Sequence, residues 1–344
     1  MKELLTASRI NSFLSCPRKH FYRYEVGLRS AAESTALRFG SAWALAMEAR
    51  WQGKTYDEAI AIANGGSLME EIDQATIAGL LHGYYRLYEG TEIFKFMHPE
   101  VKFQHSIAGS NTFDAAGKID GLGMLHDGRL AIVESKTTRE NIAPDSDYWL
   151  RLRFNIQILQ YVYAARKLGW NVEVIIYDVT RKPAIEPVQI PILDINGFKI
   201  VNDVNGNRIF KANGEPRQSA DKEKGYTLLT SLEQPDQFGR RLADDAEARP
   251  DFYFARREVP VLDDDLIEFN VNRVSISRTI LGCRHEQKKV AKPEQAWPRN
   301  SSTAFNCNNC EFSQFCLQNI SVNPAKPPAG FQIGGIHSEL ELAV

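Results

Sequence analysis

The stretch LAIVESKTT, residues 130–138, limits the fold more than any other feature of the chain. Four apolar residues, Leu130 to Val133, run straight into Glu134, Ser135 and Lys136. The apolar run reads as a buried strand. Residues two apart on a strand point to the same face, so Glu134 and Lys136 project together where the strand leaves the core. A carboxylate and an ammonium are seldom placed there without a use for them. Just upstream, TFDAAGKIDGLGML reads as a second strand, joined to the first by the hairpin signal His126–Asp127–Gly128. Pairing these strands brings Asp120 close to Glu134.

Two carboxylates and a lysine at one sheet edge form a chemical set. Carboxylate oxygens are hard ligands suited to Mg²⁺ or Mn²⁺. A metal there lowers the pKa of bound water and stabilises charge on a phosphate under attack. Lys136 then orients or deprotonates that water, or neutralises the developing charge. On its own an E-x-K triplet is short and common, and reads as a surface ion-pair network.

The rest of the chain supplies a scaffold. At 344 residues, with 43% hydrophobic and 24% charged residues, it has the composition of a globular protein with a large core. Helices are expected over 6–28 (interrupted near Pro17), 38–51, 55–63, 67–89 and 148–167. Strands are expected across 99–136 and in NVEVIIYDVTRKP. This order predicts an α/β core with a central mixed sheet flanked by helices. The parts expected are a helical N-terminal part (1–98), a core (99–184), an inserted loop and hairpin (185–225), a C-terminal part with a cysteine cluster (226–322) and a flexible tail (323–344), in one composite domain. No apolar run is long enough to span a membrane. The N-terminus lacks the pattern of a signal peptide, so a cytoplasmic location is expected.

Five cysteines occur, and Cys307, Cys310 and Cys316 form C-x2-C-x5-C. An odd count in a cytosolic chain argues for metal binding or plain burial rather than a disulfide framework. Four thiolates bind either Zn²⁺ or an iron–sulfur cluster. A zinc ribbon would present a second C-x2-C pair, which is absent. Cys16, alone near the other end of the chain, is the fourth candidate, and Cys283, otherwise a small buried hydrophobe, could replace it.

Taken together, the D…E-x-K strands and the following QILQY, with Gln157 and Tyr161 four residues apart on one helix face, resemble the PD-(D/E)xK nuclease superfamily. The closer likeness is to its RecB-like branch, whose catalytic helix carries Q-x-x-x-Y. LTASRINSFLSCPRKHFYRYEVGL resembles the opening helix of that branch. ALRFGSAWALAME resembles its G-(S/T)-x-x-H-x-x-x-E helix. The terminal cysteines resemble the Fe–S staple of AddB-type and CRISPR-associated exonucleases. The resemblance runs from about residue 5 to 318. It implies a restriction-endonuclease-like core with an Fe–S-stapled C-terminal part. Asp120 and Glu134 would be the metal ligands, and Lys136, Gln157 and Tyr161 the further catalytic residues. Cys16, Cys307, Cys310 and Cys316 would surround a [4Fe-4S] cluster. One position departs: Ala44 stands where the family places a metal-binding histidine. Glu48, one turn on, is the candidate substitute ligand. A site with fewer ligands, a weakened or inactive copy, and an introduced His-to-Ala change all remain open.

The formal net charge of −2 announces no global attraction to nucleic acid, yet is compatible with a local basic groove. CPRKHFYRY offers Arg18 and Lys19 for phosphates and Tyr22 for base stacking. Arg139, Arg151, Arg153 and Arg181 flank the expected site as further phosphate contacts. His105 and His126 show no partner pattern. The expectation is a metal-dependent deoxyribonuclease, more exonuclease than endonuclease, acting on single strands or DNA ends in recombination, repair or phage DNA processing. Its location would be a bacterial or phage-infected host cytoplasm. No P-loop is present, so any unwinding would come from a separate helicase or recombination protein. The rival expectation is a non-catalytic DNA-binding or scaffold protein that keeps the fold.

Overall fold

The hairpin carrying Asp120 and Glu134 lies inside a six-stranded mixed sheet. The computed structural model describes residues 2–32, 34–65, 69–91, 94–301, 307–337 and 340. Its elements begin β1 (Glu3–Leu5), α1 (Ala7–Ser15), α2 (Pro17–His20), β2 (Leu28–Ser30), α3 (Thr35–Trp51), α4 (Tyr56–Gly65) and α5 (Glu71–Tyr88). The core follows with β3 (Phe94–Ser106), β4 (Phe113–Leu125), β5 (Leu130–Thr138), α6 (Asp147–Leu150), α7 (Ile156–Lys167) and β6 (Val172–Arg181). Then come β7 (Gln189–Pro191), β8 (Val201–Asn202), β9 (Thr227–Leu228), β10 (Thr230–Leu232), α8 (Pro235–Ala248) and α9 (Pro250–Tyr253). The chain closes with β11 (Phe254–Pro260), α10 (Asp263–Glu286), α11 (Ser313–Leu317) and β12 (Phe331–Ile333).

The sheet runs β1-β4-β5-β6-β11, with β3 along the other edge of β4. β5 and β6 are parallel, whereas β4–β5 and β6–β11 are antiparallel, as expected for a mixed sheet. The alternation along β5 divides the core. Ile132 faces a cluster with Ile158 and Val162 of α7 and Leu266 and Phe269 of α10. Ala131 and Val133 face Phe94, Leu125, Val174 and Ile176, with Trp51 of α3 packed against them. Helices therefore cover both faces, the usual solution for apolar strands of this kind.

One edge of β4 is shared. Its start pairs with β1 (Glu3↔Phe113 to Leu5↔Ala115) and its end with β5, from Gly121↔Val133 to Met124↔Leu130. Between them lies a gap. Gln160 of α7 fills part of it, donating to Ala116 O at 2.8 Å and Leu5 O at 3.2 Å.

Two compact units are present. The sheet belongs to residues Met1–Ser67, Glu89–Arg181 and Phe254–Val344. A second unit comprises Leu68–Tyr88 and Lys182–Tyr253. Its bounds cut across the five expected segments. In it α5 packs on α8 so tightly that a Cβ on Gly79 would lie 2.7 Å from Gly239 O. The expected insertion forms tight turns in which Asp194 and Asp203 each accept two backbone N–H bonds, and its pairings run past residue 225 to Leu232.

Two expectations are corrected. The helix expected over 148–167 is broken: α6 ends at Leu150 and α7 starts only at Ile156. Asn155 is the reason, since its side chain accepts the Gln157 N–H as an N-cap and opposes continuation from upstream. The tail expected to be loose from 323 contains β12, which pairs with β2 over Phe331↔Ser30 to Ile333↔Leu28. Residues 341–344 of that tail, 302–306 before the cysteines and the start of the helix expected at 67 lie outside the described residues.

Candidate active site

The β4–β5 ladder stops at Gly121↔Val133, and the next opposed pair is Asp120 and Glu134. The two carboxylates thus stand where the strands part, on the side covered by α7. Glu134 is fully buried, 0% exposed. Lys136 Nζ forms an ion pair with Glu134 Oε1. No donor among the described residues makes a well-aligned hydrogen bond to either Glu134 oxygen. Burial and the neighbouring charge of Glu134 hold the Asp120 carboxyl well above the usual carboxylate range. Burial alone would lower the Lys136 pKa, but the charges of Glu134 and Asp120 outweigh it and raise it above the ordinary lysine value.

From Lys136 a hydrogen-bonded line runs outward. Its Nζ donates to Gln157 Oε1 at 3.0 Å, and Gln157 Nε2 donates to the Tyr161 hydroxyl at 2.9 Å. The i, i+4 spacing on α7 aligns Gln157 and Tyr161, and the Asn155 cap fixes the turn that starts this face. Gly117 makes room for Tyr161: a Cβ there would lie 3.3 Å from its ring and 2.6 Å from that of Phe103. Asp120, Glu134, Lys136, Gln157 and Tyr161, expected together from sequence, are therefore contiguous.

The donor set fits a hard divalent cation. A fully buried carboxylate with no well-aligned donor, beside a second carboxyl whose ionisation it opposes, is relieved by positive charge. Among the described residues no group of three His, Cys, Asp or Glu side chains is disposed to hold a metal ion. Glu48 lies on α3, with Glu100 and Lys118 as its charged neighbours. Burial and the charge of Glu100 raise its pKa, and Lys118, ion-paired with Glu100, lowers it. Lys118 also lowers the pKa of Asp120. Ala44 is exposed on α3.

Tyr148, Glu100 and Lys118 were not legible as neighbours of the site. Tyr148 is buried close to Lys136, and burial raises its phenol pKa. Glu100 adopts a left-handed backbone, φ 37°. Neither its residue type nor its spacing signals this.

The proposed nucleic-acid contacts fare unevenly. Arg139 is exposed and makes no ion pair among the described residues. Arg151 is paired with Glu140, and Arg153 binds Asp265 through Nε at 2.8 Å and Nη2 at 3.0 Å. Both lie in the turn before α7 rather than in a helix. Arg181 ends β6, half-buried. Tyr22 is 1% exposed within a cluster with Phe21, Phe312 and Phe315, so its ring is unavailable for stacking on a base. Arg18 is buried with Nε bonded to Trp297 O at 2.9 Å, and Lys19 is half-buried.

Cys16, Cys307, Cys310 and Cys316 line one cavity of about 70 Å³ with Arg18 and Lys19. The Asn300 N–H points at Cys16 Sγ, 3.4 Å away. Burial pushes the Cys310 thiol up, against the charge of Lys19. Cys283 lies on α10, packed against the neighbouring apolar cluster. It is not among the residues lining this cavity.

A family model described as the PD-(D/E)XK nuclease superfamily matches residues 4–317. The chain belongs to this superfamily. Comparison with curated proteins yields no match. A solved structure described as "Crystal structure of SSO0001" aligns over 92% of this chain and 86% of that chain, at 12% identity and a TM-score of 0.33. That likeness is too weak to bear on the chemistry. No described helix is long and apolar enough to cross a membrane.

Proposed function

We propose that this member of the PD-(D/E)XK nuclease superfamily is a metal-dependent DNA nuclease of the RecB-like type, acting on single strands or DNA ends as an exonuclease. The observation that carries the reading is Glu134, a fully buried carboxylate with no well-aligned donor, set against Asp120 and Lys136. Asp120 and Glu134 would hold Mg²⁺ or Mn²⁺, which would supply Lewis acidity for phosphodiester hydrolysis. Lys136 keeps its proton on Nζ at neutral pH, since its pKa is raised. In that state it is a positive donor that orients water and offsets charge on the phosphate. Gln157 holds Nζ in place, and Tyr161 holds Gln157. Arg139, exposed and without an ion pair among the described residues, is one candidate phosphate contact.

A [4Fe-4S] cluster held by Cys16, Cys307, Cys310 and Cys316 is part of this reading, with structural Zn²⁺ as the alternative. Their shared cavity and the Asn300 N–H directed at Cys16 support it. The cluster would close a loop of almost 300 residues and join the ends of the fold. Recombination, repair or phage DNA processing is the setting proposed, with a separate helicase partner.

Ala44 favours a second reading, a DNA-binding scaffold whose metal site has weakened, because alanine ligates nothing. Strand cleavage in Mn²⁺ tests both. Single strands labelled at the 5′ or the 3′ end, with a covalently closed circle alongside, give stepwise products and an intact circle for an exonuclease. A cut circle overturns the exonuclease assignment. Binding without cleavage of any substrate favours the scaffold.

A further inference from the structure

We propose that Arg18, Lys292 and Arg299 form a phosphate-binding pocket for the nucleic-acid strand, beside the cysteine cavity. A cavity of about 260 Å³ is lined by these three residues with Tyr22, Glu294 and Asn319 among others. Three cations face one carboxylate there.

The three cations are anchored on neutral oxygens. Arg18 Nε donates to Trp297 O at 2.9 Å, and Arg299 Nη2 donates to Cys316 O at 2.8 Å and to Asn319 Oδ1. Lys292 Nζ donates to Asn319 O at 3.4 Å. None of the three has a carboxylate partner among the described residues. Several other arginines of the same unit are paired with carboxylates: Arg9 with Glu3 and Glu25, Arg129 with Glu258, Arg256 with Asp178, Arg284 with Glu3 and Glu25. Glu294, the single acid in the lining, is buried and accepts from Ser321 Oγ at 2.5 Å. The pocket thus holds a surplus of positive charge already oriented by hydrogen bonds, which is what an oxyanion requires.

Arg18, at 7% exposure, is held rigidly. Arg18, Tyr22 and Arg299 also line the cysteine cavity, so the two cavities share a wall. A mixture of Arg and Lys donors on separate segments suits a phosphate, which accepts from several directions, better than a planar carboxylate. The strand assignment rests on the nuclease reading, in which a polyanion is the substrate. Inorganic phosphate is the other source of the same chemistry.

The test is binding of a fluorescent oligothymidylate to the full chain in EDTA, followed by anisotropy across a range of KCl concentrations. Each phosphate contact contributes about 0.7 to the slope of log K against log salt for single strands. Lys292→Gln and Arg299→Gln are each expected to reduce the slope by about 0.7. Lys292→Gln keeps the test sound if loss of the Arg299–Cys316 bond unsettles the cysteine loop. Unchanged slopes in variants that still bind overturn the pocket alone. Wild-type protein that binds no strand overturns both the pocket and the nuclease reading. Inorganic phosphate detected by ³¹P line broadening, lost in the variants while the strand slope stays constant, overturns the strand assignment.

Discussion

Removing Lys136 leaves Glu134 as a buried charge with no ion-pair partner among the described residues. Breaking a buried pair by deleting one partner costs about 3–5 kcal/mol. Glu134 is 0% exposed while the Lys136 side chain is 26% exposed, so the lower end applies. For a unit of this size each kcal/mol shifts Tm by about 2–4 °C, which gives Lys136→Ala a drop of roughly 6–12 °C. Melting followed by circular dichroism in EDTA measures it. Without the ammonium, which opposes the rise, the already raised Asp120 pKa moves further up. The deficit must therefore grow as pH rises above about 4 and shrink below it. Mn²⁺ should restore part of the loss by substituting for the missing charge. In a Glu134→Gln background the same substitution should cost about 1 kcal/mol or less. A Tm within about 1 °C of wild type, or an equal loss in both backgrounds, refutes the reasoning.

Asp120→Asn should raise metal-free stability at neutral pH, because it removes a carboxylate whose ionisation burial and Glu134 oppose, and abolish stabilisation by Mn²⁺. The raised Asp120 pKa means that wild-type stability falls as pH climbs from about 4 through the folded-state value, a slope absent in the variant on a pH series of melts. Asn155→Ala removes the α7 cap and should cost about 1 kcal/mol with a few-fold loss of cleavage, read by melting and initial rates. If the proposed [4Fe-4S] cluster is present, anaerobically purified protein is brown, and Cys16→Ser should abolish that colour while Cys283→Ser keeps it. Equal spectra overturn Cys16 as the fourth ligand.

Much of this site is legible in the sequence because it depends on local rules. The two-residue period of β5, the turn at His126–Gly128 and the four-residue spacing of Gln157 and Tyr161 each fix geometry over short distances. Gathering Cys16 with Cys307, Cys310 and Cys316 came from resemblance, and the cavity they share came from the fold. What escaped depends on tertiary placement. Periodicity continued the helix through 151–155 because Leu150, Leu152 and Phe154 supply apolar residues, while the Asn155 cap that breaks it is a single side-chain choice. Tyr22 read as a surface aromatic because its neighbours are basic. The ring is instead core, 1% exposed, at the wall of the cavities that Arg18 also lines. The left-handed Glu100, the break in the ladder at Asp120 and the role of Gln160 in filling the gap in β4 all require knowing which strands pair.

The most direct test of the central claim is cleavage of end-labelled single-stranded DNA by anaerobically purified wild type and Lys136→Ala in Mg²⁺, Mn²⁺ or EDTA, with Ala44→His in parallel. The account predicts metal-dependent cutting by wild type, reduced about 10²–10⁴-fold in Lys136→Ala. Cutting by Ala44→His alone, or equal cutting by wild type and Lys136→Ala, would contradict it.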